Sequence, residues 1–242
     1  MTVTTADTMR WLHDEGLVRL AAVGDRLHDP ISAYTIAIAD GTVTAHPASG
    51  NGLGANPITM AADDLPPPAG TRKRLLIAGI TSNESMLIIN LAATHTISII
   101  GENERAVARS WILQLLLDPD CTVTTNNEAL TVPTEPRCRL AFIPGAGTAV
   151  FTADDRRPPP TTVTLGSTET LPDRLEISTG GSGGMYMSAR YWPLRTIHRI
   201  RDQSWTALSV KITSAFPLST PATHTPNLDR ATSAHTVGSS RD

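Results

Sequence analysis

Residues 96–117, TISIIGENERAVARSWILQLLL, hold the side chains whose types and spacing come nearest to chemistry. A β-branched run ends at Gly101, and a polar turn opens a long apolar segment. That is the layout in which a strand, a loop and a helix N-terminus cradle a phosphate. A working cradle reads G-x-x-x-x-G-K-[ST]: glycines let the backbone wrap the phosphates, lysine neutralises them, and a hydroxyl holds Mg2+. Counted from Gly101, the second glycine is Ala106, the lysine Val107 and the hydroxyl residue Ala108. Glu102 and Glu104 would also face a triphosphate with like charge. A frame slid to Arg109 and Ser110 needs a loop two residues longer and puts arginine in place of lysine. Gly101, Arg105, Arg109 and Ser110 are therefore the residues an atypical nucleotide site would use, with Arg105 or Arg109 as the anion contact. The simpler reading is a βα unit with a self-capped helix, no cofactor, no metal and no catalytic residue.

A second absence agrees with the first. A Walker B strand carries an acid after its apolar run, to hold Mg2+ through water. The strand expected over 139–143 runs instead into Pro144. Two glycine clusters also invite a phosphate reading. Gly50-Asn51-Gly52-Leu53-Gly54 has no strand leading into it, which makes it a flexible connection. Gly180-Gly181-Ser182-Gly183-Gly184 joins two expected strands rather than feeding a helix N-terminus, so its amides would not converge as in a nucleotide site. The concentrated basic stretch is Arg190, Arg195, His198, Arg199 and Arg201. It reads as a solvated helix face or a contact for an acidic partner or nucleic acid. Phosphate binding there would be salt-sensitive, but no exposed aromatic platform is expected beside it. No Ser-His-Asp order, HExxH, CxxC or paired-carboxylate motif stands out, and Cys121 and Cys138 lack a metal-ligand spacing. They read as two reduced, half-buried thiols, with a single disulfide as the alternative.

These residues need elements to hold them. Periodicity predicts a strand over 96–100 and a helix over 105–117, capped by Asn103 and stopped by Asp118-Pro119. Val107, Trp111 and Leu115, with Ala108, Ile112 and Leu116, give that helix a broad apolar face for a sheet. Upstream, Met9 to Leu27 trace a helical stripe whose charges, with His13 and His28, read as solvated surface. Residues 34–38 and 42–46 form a hairpin about Asp40-Gly41, and 47–68 read as a long loop. Arg72-Lys73-Arg74 reads as a solvated strand entrance before paired strands at 75–80 and 86–91. His95 reads as structural. Downstream, strands are expected at 121–125, 139–143, 148–152, 161–165, 174–178 and 185–191, then a helix from about Leu194. Residues 1–6 read as frayed and 217–242 as a disordered tail. The rest, 7–216, reads as a single α/β domain that could subdivide near 145–160.

The chain has 242 residues, 40% of them hydrophobic, enough for a sizeable core, while aromatics at 4% leave the packing to aliphatics. The formal charge of −3 exerts no global pull toward nucleic acid or anionic membrane. No basic region precedes an apolar core at the N-terminus, and no run of 18 apolar residues occurs, so membrane insertion is not expected and a cytoplasmic location is.

The order of helix, hairpin, Pro-rich loop, paired strands and then HTISIIGENERAVARSWILQLLL resembles an uncharacterised α/β module of actinobacterial multidomain proteins. That group includes LysM- and transcriptional-activator-domain regulators. More distantly, the unit is similar to a degenerate FtsK/SpoIIIE-type P-loop domain of type VII secretion ATPases. The resemblance implies a nucleotide-fold relative that has shed its active site, and it carries over no catalytic residue. The expectation is an α/β protein with the 96–101 strand in the middle of a mixed sheet and a β-rich C-terminal half. Its expected role is a non-catalytic, pseudo-ATPase-like scaffold with a protein partner in a secretion, conjugation or regulatory assembly. A nucleotide-binding protein with an atypical loop and a nucleic-acid binder acting through 190–201 are the alternatives.

Overall fold

The first helix begins where Thr4 can cap it. The Thr4 hydroxyl accepts from the Asp7 amide at 3.3 Å, and the Asp7 carboxylate accepts from the Thr4 amide at 3.1 Å. This capping box starts α1 (Thr5–Trp11) inside the stretch read as frayed. One wide π-turn, Leu12–Gly16, joins it to α2 (Leu17–Arg26). The structure, a computed structural model, describes residues 4–48, 56–132, 135–143, 149–167 and 170–215. The readings of 50–54 as a flexible connection and of 217–242 as a disordered tail lie outside those residues.

The strands are β1 (Ile31–Ala37), β2 (Val43–Pro47), β3 (Ile58–Met60), β4 (Leu75–Thr81), β5 (Ser85–Asn90) and β6 (Thr96–Gly101), which leads into α3 (Glu104–Leu116). After it come β7 (Thr122–Thr125), β8 (Cys138–Leu140), β9 (Val150–Asp154), β10 (Thr161–Leu165), β11 (Arg174–Ile177), β12 (Gly183–Met187) and β13 (Arg190–Ile197), then α4 (Asp202–Ala215). All thirteen strands among the described residues join one sheet in the order β3-β2-β1-β5-β4-β13-β12-β11-β6-β10-β9-β7-β8. The class is α/β with a large, mostly antiparallel sheet and few helices. Among the described residues, parallel pairing is confined to β6 with β10, β6 with β11, and β7 with β8.

Several expectations change. The segment from Leu194 is strand, not helix: Trp192, Leu194 and Ile197 are buried while Tyr191, Pro193 and Arg195 face outward. Pro193 is tolerated because its carbonyl accepts from Ser82 beyond the end of β4, so its missing N–H costs no ladder bond. The strand read over 185–191 stops at Met187 and turns back at 188–189. The expected 47–68 loop contains β3. The expected 139–143 strand is β8, which ends at Leu140, and Phe142 beyond it is 87% exposed. Four strand positions separate β8 from β6, which rules it out as a Walker B strand beside a phosphate loop.

The sheet does not lie flat; it wraps α3. His46 on β2 and Trp192 on β13 are four strands apart in order, about 19 Å across a flat sheet. Their rings nevertheless meet edge-on at 5.3 Å. Arg74 at the head of β4 bonds the Thr161 hydroxyl of β10 at 2.9 Å across five strand positions. Within the wrap α3 touches β4, β6, β7 and β10, and every residue from Val107 to Leu116 is buried. The predicted single apolar face is thus a helix buried on all sides. The outer face of β1, β2, β4 and β5 is covered instead by α1 and α2, so Leu75 and Ile77 pack outward while Leu76 and Ala78 pack toward α3.

Burial in the wrap depresses the His46 pKa to about 4, with Arg190 nearby adding to the effect. Nε2 of His46 lies 3.0 Å from the Thr35 hydroxyl, and Nδ1 is buried without a partner. The folded value lies below the unfolded one, so the unfolded chain binds the extra proton. Stability is therefore complete above about pH 6.5 and falls as the pH drops toward 4. At pH 5 the loss through this residue is at most roughly 2 kcal/mol, less for its partial exposure. Urea midpoints between pH 7 and 5 should fall less steeply for His46→Gln, and identical slopes would refute this assignment.

Candidate functional site

The cavity at the carboxyl end of β6 holds about 570 Å3 and is lined by Gly101, Asn103, Glu104, Arg105, Ala106, Arg199, Arg201 and Asp202. It lies where a strand flanked by parallel neighbours hands the chain to a helix, the crevice in which open α/β sheets bind ligands. Gly101 is required there: its φ is +119°, and a Cβ would run into the Ile177 carbonyl of β11. Asn103 takes the N-cap position as predicted, but in a left-handed conformation (φ +56°) and with no side-chain cap bond. The Ala106 amide turns back to the Asn103 carbonyl at 2.9 Å, leaving the Glu104 and Arg105 amides without intrahelical acceptors.

Three guanidiniums converge on this first turn from two stretches of chain. Arg105 comes from α3, while Arg199 and Arg201 come from the crossing between β13 and α4. None of the three has an ion-pair or hydrogen-bond partner among the described residues. Arg199 lies on the backbone of Gly181 (φ +90°), where a Cβ would stand 2.7 Å from Nη2. Two acids share the cavity lining, and Glu104 lies near enough to Arg105 to be stabilised by it. Glu104 faces Gly166 of the β10 exit, and partial burial raises its pKa. Asp202 pairs with Arg109.

Arg109 and Ser110, the slid-frame candidates, lie elsewhere. Arg109 donates Nε to the Ala129 carbonyl at 3.0 Å and carries the Trp205 ring at 5.4 Å. Ser110 is fully buried, 2.6 Å from Nδ1 of His198. A serine beside a histidine has the form of a nucleophile and its base. Here no surface of Ser110 is open to a substrate, and the hydroxyl also accepts from Nε2 of Gln114 at 3.3 Å. Burial first, then nearby His13, lowers the His198 pKa.

The basic stretch does not form one face. Arg190 sits half-buried opposite Met187, Arg195 pairs with Glu84, and His198 turns inward, so only Arg199 and Arg201 reach the cavity. An aromatic does stand beside it, contrary to expectation. Tyr191 is 54% exposed and stacks on Tyr186 at 4.6 Å, which carries Arg174 at 3.8 Å. Glu176 neutralises Arg174 as Glu84 does Arg195, so this face is not basic.

Two further readings are corrected. His13 is half-buried rather than on the surface: its Nδ1 lacks a partner, and its pKa is lowered by burial and then by Arg72. Arg74 is no solvated strand entrance but is 2% exposed and paired with Asp155. Cys121 and Cys138 are free and buried, and burial pushes the Cys121 thiol up to about 12. Among the described residues no three His, Cys, Asp or Glu side chains stand together as metal ligands, and no helix is long and apolar enough to cross a membrane. The signal for the site was present in two pieces, Arg105 after Gly101 and the 199–201 arginines, but only folding brings them together. Comparisons with protein families, with curated proteins and with solved structures find no match.

Proposed function

We propose that this chain is a non-catalytic binding module of a larger assembly, which takes an anionic group of its partner in the arginine-walled cavity at the end of β6. The observation that carries the reading is the convergence of Arg105, Arg199 and Arg201, unpaired among the described residues, on a helix start with free amides. Guanidiniums bind phosphoryl and carboxylate groups through forked donors, and the helix dipole adds to them. No lysine, hydroxyl or Mg2+-binding acid occupies the positions that would turn binding into phosphoryl transfer.

Inorganic pyrophosphate is the direct probe. At a hundredfold excess over its Kd it should stabilise the fold by about 2.7 kcal/mol, a rise of a few degrees in Tm. The rise should shrink with added salt and vanish in Arg199→Ala/Arg201→Ala. The absence of any shift with pyrophosphate would end this reading. The cavity volume favours a second one, since about 570 Å3 is room for a nucleotide. ATP shifting the Tm well beyond pyrophosphate would make nucleotide recognition through Gly101 and Arg105 the better account.

A further inference from the structure

We propose that the outer face of β11, β12 and β13 carries a further site, a shallow cavity that takes a neutral, gluco-configured oligosaccharide on the ring of Tyr191. The inference is independent of the anion-binding reading above. Strand register sets out the face. Glu176, Gly184 and Pro193 stand side by side across the three strands, and Arg174, Tyr186 and Tyr191 form the next row. The middle of the first row is a glycine, which leaves a hollow between the carboxylate of Glu176 and the ring of Pro193. The edge of Tyr191 reaches over it, since a Cβ on Gly184 would stand 2.5 Å from Cε2 of that ring. The cavity so formed holds about 450 Å3, within the range of small-molecule sites.

Tyr191 lines this cavity and Tyr186 does not, so one face of Tyr191 meets Tyr186 at 4.6 Å and the other is open. A half-exposed tyrosine braced by a second ring is a flat platform with a negative π-face. The ligand that matches it is flat, weakly polar and edged with hydrogen-bonding groups. A pyranose with equatorial hydroxyls has that form: its axial C–H bonds make an apolar face and its hydroxyls ring the edge. The cavity wall supplies partners for that edge. The Ser178 and Ser182 hydroxyls line it with no partner among the described residues, and Glu176 accepts from Arg174 through Oε1, leaving Oε2. Charge selects against an anion here. Arg174 is paired with Glu176 and Arg195 with Glu84, so neither guanidinium is free for a phosphate or carboxylate.

The test is a titration of the intact chain with cellohexaose, followed by amide chemical shifts over 174–195, alongside Tyr191→Phe and Tyr191→Ala. At 54% exposure Tyr191 can be truncated without opening the core. Expected are millimolar binding that is unchanged by added salt, retention in Tyr191→Phe, and a loss of about tenfold in Tyr191→Ala, the size of one aromatic contact. No binding at millimolar cellohexaose would overturn the proposal, and so would equal affinity in Tyr191→Ala or an affinity that falls with salt. Decaproline shifting the same residues where cellohexaose does not would assign the groove to a polyproline-type segment instead. None of these outcomes bears on the response of Tm to pyrophosphate, so this site and the one at the end of β6 stand or fall separately.

Discussion

Arg74→Ala is expected to destabilise the fold by about 3–5 kcal/mol, the usual cost of removing one partner from a buried ion pair. The side chains of Arg74 and Asp155 are 2% and 4% exposed, with Nε 3.2 Å from Oδ1, although that contact lies off the hydrogen-bond axis. The well-directed bonds are made by the rest of the fork. Nη1 donates to the Pro159 carbonyl and the Thr161 hydroxyl, each at 2.9 Å, and Nη2 donates to the Arg157 carbonyl at 3.1 Å. Thr161 in turn donates to the Leu91 and Thr94 carbonyls. One guanidinium thus ties the head of β4 and the tail of β5 to the entrance of β10, which closes the wrap opposite the β4–β13 seam. Truncation leaves the buried Asp155 carboxyl without its guanidinium partner. Arg74→Lys keeps the charge but loses the fork, so its loss should be intermediate. Urea unfolding measures both, and a loss under about 1 kcal/mol for Arg74→Ala would mean the wrap does not depend on this closure.

The same residue shows where the sequence stops being legible. Arg72-Lys73-Arg74 reads as solvent-facing because nothing local offers a partner; the acid lies 81 positions on, in a turn that reads as charged and exposed. The βα unit at 96–116 is legible because both of its signals are local: a β-branched run closed by Gly101, and thirteen residues without glycine or proline. What encloses α3 is not legible, since Ser110 and Gln114 look like a polar stripe until their bonds are seen. At 190–197 two periods compete. Leu194, Ile197 and Ile200 fit a helix, while Trp192 and Leu194 against Tyr191, Pro193 and Arg195 fit a strand, and pairing with β12 decides for the strand. The cavity was half legible: Gly101 and Arg105 sit in the turn that the pattern singles out, but the role of Arg199 and Arg201 depends on a crossing nearly a hundred residues later in the chain.

Gln114→Leu is expected to cost about 2–6 kcal/mol while leaving the volume of the core nearly unchanged. β13 meets β4 only from Gly79 onward, with the His198 amide reaching the Ala78 carbonyl, so Ile77 has no strand neighbour on that edge. Gln114 takes that place: the Ile77 amide donates to Oε1 at 2.8 Å, and Nε2 donates to the Ile77 carbonyl at 3.1 Å. Each buried backbone group left unpaired costs about 1–3 kcal/mol, and leucine strands both. Gln114→Glu separates geometry from charge. An ionised glutamate can accept from the Ile77 amide but has nothing to donate to its carbonyl, and it buries a charge. A protonated one restores both bonds. Burial would raise that carboxyl's pKa, so the native state holds the proton more tightly than the unfolded chain and the variant should lose stability as the pH rises. That slope is opposite to the one His46 gives the parent chain. A stability profile for Gln114→Glu that falls toward acid as the parent's does would show that the Ile77 edge is satisfied without this side chain.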